Sequence, residues 1–221
     1  MIITSFALLS LCIASFATNV PIFDPDGPGA CHIYQMTLYS QNSGSSSSSS
    51  SFGDFGHAFV SFSNSHDFSF QMGKFVIPPQ TTVFLGKWAG TVCNTEYTPH
   101  AGVEYDLEPY LNGGNSLGTS SEIIRAVTIS VNSASATEAS TFASNQNDGY
   151  DVLTNNCVTF ATGFFDCCYG SSSIFSGYNL PSQLYEKLGQ LSYCQYLSLS
   201  DLPSAVFWFF FDGNNVCHTV R

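Results

Sequence analysis

Tyr150-Asp151-Val152-Leu153-Thr154-Asn155-Asn156-Cys157-Val158-Thr159-Phe160-Ala161 is a polar turn running into a helix, with a cysteine at the junction. Val158, Phe160, Ala161, Phe164 and Phe165 recur at helical spacing, which predicts a helix from Asn155 or Asn156 to about Asp166. Asparagine suits the cap position, where its side-chain oxygen can take a free backbone N–H. A helix N-terminus carries about half a positive charge and unpaired N–H groups. Both favour thiolate over thiol at Cys157, and the thiolate is the nucleophile. The same N–H groups can hold the oxyanion formed when a carbonyl is attacked. Asn155 and Asn156 are also expected to bring amide donors beside the sulfur. The competing reading is a cysteine packed in the core or bridged to another.

Working outward, Ile123 to Val131 is rich in Ile and Val and predicts a strand, and Asn132-Ser133 then caps a helix over Ala134 to Asn145 that Asp148-Gly149 ends. Downstream, Pro181 to Leu188 opens with a proline in the first turn of a third helix. Ala205 to Phe211 is expected to be a buried strand, stopped by Asp212-Gly213-Asn214-Asn215. Upstream, Cys31 to Ser40 alternates apolar and polar residues, the period of a half-buried strand. Residues 41–51, with seven consecutive serines, can bury nothing and predict a flexible loop. Gly56 to Phe62 and Asp67 to Met72 then suggest a hairpin turning at Ser63-Asn64-Ser65-His66. Pro78 to Gly118 mixes short aromatic pieces with Pro and Gly breaks. Its acidic stretch Glu104-Tyr105-Asp106-Leu107-Glu108 is expected to be solvated rather than metal-binding. This order of elements predicts an α+β domain with an antiparallel sheet.

A thiolate nucleophile needs an imidazole to take its proton and later protonate the leaving group. Of five histidines, His57 opens an apolar strand with Gly53 and Gly56 leaving room around it. His32, His100 and His218 carry no motif, and His66 falls in the predicted turn.

Phe55-Gly56-His57-Ala58-Phe59-Val60, followed about a hundred residues later by Asn155-Asn156-Cys157-Val158-Thr159-Phe160, resembles the circularly permuted NlpC-type papain-like superfamily. There the His strand precedes the Cys helix. Leu180-Pro181-Ser182-Gln183-Leu184-Tyr185-Glu186-Lys187-Leu188 resembles the segment that follows that helix in many members. The likeness spans roughly residues 31–190. It implies an antiparallel sheet carrying His57, packed against a helix whose N-terminus carries Cys157. It implies a thiol hydrolase cleaving amide bonds, in peptides or cell-wall peptides, through a Cys157 acyl-enzyme with His57 as general base. Members include peptidoglycan peptidases and amidases, deubiquitinating-type peptidases and lecithin–retinol acyltransferase-like enzymes. A third polar residue usually orients the imidazole from the strand after the histidine. In the expected hairpin His57 faces Gln71 or Met72, so Gln71 is the candidate, with His66 and Ser69 behind it. The alternative is a secreted binding or structural module that keeps the fold without catalysis.

The global features fit export. Residues 2–16 are apolar apart from Ser and Thr and carry no charge, and Ser15-Phe16-Ala17 places small residues at a cleavage site. Residues 1–17 therefore read as a secretory signal peptide, leaving 18–221 as one domain. No later run suits a membrane span. A net charge of −11, with five Lys and Arg against sixteen Asp and Glu, excludes a basic nucleic-acid footprint. Of eight cysteines, Cys12 leaves with the signal. Seven remain, an odd count that predicts three disulfides and one free thiol in an oxidising compartment. No metal or cofactor is expected: there is neither a pair of C-x-x-C motifs nor an H-E-x-x-H.

Overall fold

The computed structural model describes residues 34–42, 56–89, 101–105, 123–146, 149–170, 175–198, 208–211 and 217–220. The proposed signal segment, the serine run, Cys31, Cys93, His32 and His100 lie outside them. Among the described residues the chain is a mixed α+β structure built on a six-stranded antiparallel sheet. Its strands are β1 (Tyr34–Gln41), β2 (His57–Asn64), β5 (Thr81–Ala89), β6 (Ala101–Tyr105), β7 (Ile123–Val131) and β8 (Gln195–Ser198), in the order β6-β5-β2-β1-β7-β8. A small hairpin of β3 (Phe70–Met72) and β4 (Phe75–Ile77) stands apart from it, as do β9 (Trp208–Phe211) and β10 (Cys217–Val220). Three helices follow β7: α1 (Ser133–Ser144), α2 (Cys157–Tyr169) and α3 (Pro181–Gly189).

Period-two alternation decides the two faces of the sheet. Met36, Leu38, Ala58, Val60, Phe62, Val83, Leu85, Val127 and Ile129 form one face and pack against the helices. Tyr39, Phe59, Phe84, Ile124 and Ala126 make a smaller cluster on the other. Helix α2 lies across β1, β2 and β5 and inserts Phe160 and Phe164 into the larger cluster, both essentially unexposed. Helix α1 buries only small residues, Ser135, Ala136, Ala139 and Ala143, which lets it come close to α2. At the crossing, a Cβ on Gly163 would stand 2.7 Å from the Phe142 ring, so any larger residue there requires that ring to shift.

The expected hairpin between residues 56–62 and 67–72 does not form. Strand β2 pairs with β1 and with β5, whose register runs from Phe59↔Gly86 to Asn64↔Thr81. The intervening chain makes its own excursion. Asn64 ties its base, donating from Nδ2 to the carbonyls of Phe68 (2.8 Å) and Pro78 (3.2 Å) and accepting from His66 N. Gly73, at φ +61°, opens the two-residue turn of the β3–β4 hairpin. Residues 78–118, with their short aromatic pieces and Pro and Gly breaks, thus contribute β5 and β6 to the sheet. Glu104, expected in solvent, is 3 % exposed on β6.

Candidate active site

The turn before α2 is built by its own side chains. Asp151 and Asn155 exchange two backbone hydrogen bonds, of 2.9 and 3.0 Å. The Asp151 carboxylate accepts from the N–H groups of Leu153 and Thr154 and from the Thr154 hydroxyl. The Thr154 hydroxyl and then those N–H groups hold this exposed carboxyl below its usual range. Asn156 is the N-cap. Its Oδ1 accepts from Val158 N and Thr159 N at 2.9 and 3.0 Å, and its own N–H donates to Thr159 Oγ1. Its Nδ2 donates to Val152 O (2.6 Å) and Asn179 O (2.9 Å). One buried carboxamide therefore joins the turn, the helix and the approach to α3.

This arrangement puts Cys157 at the first helical position, over the start of β2, where His57 is the first strand residue. The His57 side chain hydrogen-bonds Cys157 Sγ, and Ala58 N–H and the Tyr150 hydroxyl also donate to it, the last at 3.9 Å. Burial alone would push the Cys157 thiol up. The hydrogen bond and charge of His57, joined by the Ala58 and Tyr150 donors, outweigh it and hold the thiol below its ordinary value. The Tyr150 phenol moves the opposite way, raised by burial first and then by the negative charge on Cys157. It stays protonated and is a donor to the sulfur. The imidazole is fixed by ring contacts, 4.2 Å from Trp88 and stacked on Phe59 at 5.6 Å. Cys157 and His57 are 4 % and 3 % exposed.

Three sequence expectations need correction. Gln71 is not across from His57: it lies on β3, paired with Val76, and its Nε2 donates to Gly73 O. The excursion after Asn64 carries it away from β2. His66 follows the opposite end of β2, roughly 25 Å along the strand at its usual rise, and stacks on Phe68; Ser69 lies in the same excursion. The amide groups of Asn155 and Asn156, expected beside the sulfur, donate to Gly149 O and to Val152 and Asn179 O.

The buried polar residue directly opposite His57 is Gln41, the last residue of β1. The alternation of residues 31–40 continues one step to reach it, but the pairing is visible only once β1 and β2 are joined across the serine run. Tyr150 had no sequence signal of its own. Its approach to Sγ depends on the tight turn between Asp151 and Asn155.

Cys157, Cys167, Cys168 and Cys194 are free thiols, which does not leave the partners for three bridges among the seven cysteines after Cys12. Among the described residues no group of three or more His, Cys, Asp or Glu could hold a metal ion, and no helix is long and apolar enough to cross a membrane. Compared with family models, curated proteins and solved structures, the chain matches none.

Proposed function

We propose that the protein is a thiol hydrolase of the permuted papain-like type, acting on amide bonds of peptides or cell-wall peptides outside the cell. The observation that carries this reading is the convergence of His57, Ala58 N–H and Tyr150 on the sulfur of a cysteine at a helix N-terminus. In this reading His57 takes the Cys157 proton and the thiolate adds to the substrate carbonyl carbon. The Cys157 N–H, at the first helical position, and the neutral Tyr150 hydroxyl are the donors for the resulting oxyanion. Collapse of the tetrahedral adduct expels the amine, which leaves with the proton held by His57. The thioester that remains is then cleaved by water, whose proton returns through His57. Gln41, opposite His57 in the sheet, takes the orienting role first expected of Gln71. Export is supported by the apolar, uncharged N-terminal segment.

Peptide mapping after iodoacetamide treatment of the native, unreduced protein tests the nucleophile directly. Cys157 is expected to carry the label and Cys157→Ala to remain folded. Finding Cys157 in a disulfide would sink the proposal. A second reading, a non-catalytic secreted module of the same fold, is favoured by the near-complete burial of Cys157 and His57. It predicts that His57→Ala leaves the alkylation rate near neutral pH unchanged.

A further inference from the structure

Lys87 is a buried cation. It lies on β5 with 1 % exposure, paired with Val103 and next but one to Leu85, which faces the helices. Continuing the β2–β5 register one pair beyond Phe59↔Gly86 sets it beside Ala58. The ammonium group donates to Asn155 Oδ1 and, at 3.4 Å, to Gln146 Oε1. Gln146 stands just after α1 and Asn155 just before α2. One side chain therefore fastens both ends of the α1–α2 connection to the sheet.

Two contacts of the site come from that connection: Tyr150, on the sulfur, and Asn156, which caps the helix. Desolvating an ammonium costs several kcal/mol, and a well-packed apolar side chain avoids that cost. The chain has only five Lys and Arg in all. A lysine at this place is accounted for by what its bonds hold, the two ends of the connection.

We propose that Lys87 is a positioning residue for the Cys157 site, anchoring Gln146 and the turn at Asn155 so that Tyr150 and the capped end of α2 meet the start of β2. The inference rests on the reading of Cys157 as the nucleophile.

The test is the pH dependence of Cys157 alkylation by iodoacetamide, read by peptide mapping in the full chain. The titratable groups on the sulfur are His57 from β2 and Tyr150 from the connection, so His57→Ala and Tyr150→Phe are recorded alongside. Lys87→Met is expected to stay folded and to raise the midpoint by about one pH unit, a roughly tenfold loss of rate below it. Lys87→Arg, which keeps the donors, recovers most of the rate. Asn155→Ala shifts the midpoint in the same direction, and the double variant Lys87→Met/Asn155→Ala shifts it no further than the larger single. An unchanged midpoint in folded Lys87→Met, with His57→Ala raised, overturns the role of Lys87 alone. If Lys87→Met does not fold, an unchanged midpoint in Asn155→Ala overturns it equally. A wild-type midpoint in the ordinary thiol range that His57→Ala does not move removes the nucleophile reading and this inference with it.

Discussion

The two ends of α2 each bury a cysteine, and their chemistry diverges. Cys168, in the last turn, is 2 % exposed and held well above an ordinary thiol, first by burial and then by neighbouring Cys167. Cys157, at the first position, is as thoroughly enclosed, yet its thiol is depressed by its contacts with His57, Ala58 N–H and Tyr150. Burial acts on both in the same direction. What reverses the sign at one end is an imidazole on a facing strand together with two donors. A helix N-terminus is not sufficient either: Asn132 caps α1 as Asn156 caps α2, accepting from Ser135 N at 2.9 Å, without any such convergence.

The hardest test of this contrast removes the partner. His57→Ala is expected to lower kcat/KM on an amide substrate by roughly 10²–10⁴, the usual contribution of a general acid–base, and Cys157→Ala to bring it to background. Cys168→Ala should leave the rate within a few-fold.

Titrating thiol reactivity separates the two ends next. A depressed thiol pKa means that thiolate is present above it and lost as pH falls through it. Cys157 alkylation should therefore persist below the ordinary thiol range, while Cys168, whose thiol is raised, should react only above it. In His57→Ala the burial remains and the partner is gone, so the Cys157 midpoint should climb toward the behaviour of Cys168. Equal pH profiles for the two thiols would end the comparison.

The caps offer a smaller effect, read by chemical denaturation. Asn156→Ala loses the helix cap and strands the carbonyls of Val152 and Asn179, costing roughly 2–4 kcal/mol. Asn132→Ala should cost only about 1 kcal/mol. The smallest change is expected at Gln71, where alanine removes one hydrogen bond to Gly73 O and should cost about 1 kcal/mol or less. Cys157 reactivity should not move.

The candidate site was partly legible because half of its information is local. The start of α2, its asparagine cap and the strand opening at His57 follow from periodicity and cap chemistry within a dozen residues. Gln71 was misplaced because its assignment needed a strand partner, and the choice between β3 and β5 is not local. Asn64, through its three hydrogen bonds, closes off the excursion and returns the chain as β5. Gly86 and Lys87 interrupt the apolar pattern of β5, and Glu104 of β6 belongs to the acidic stretch expected to be solvated. Both strands are nevertheless in the sheet, with Glu104 and Lys87 buried.

By itself, then, the sequence determined an α+β chain with a cysteine at a capped helix start and a histidine at a strand start. Only the tertiary structure decided that Cys157 Sγ meets His57, that Gln41 rather than Gln71 stands opposite the imidazole, and that Lys87 holds the connection carrying Tyr150. The reason is physical. Caps and side-chain period act over one or two turns of chain, whereas strand register joins residues far apart in sequence, and a one-residue change in it reverses every face.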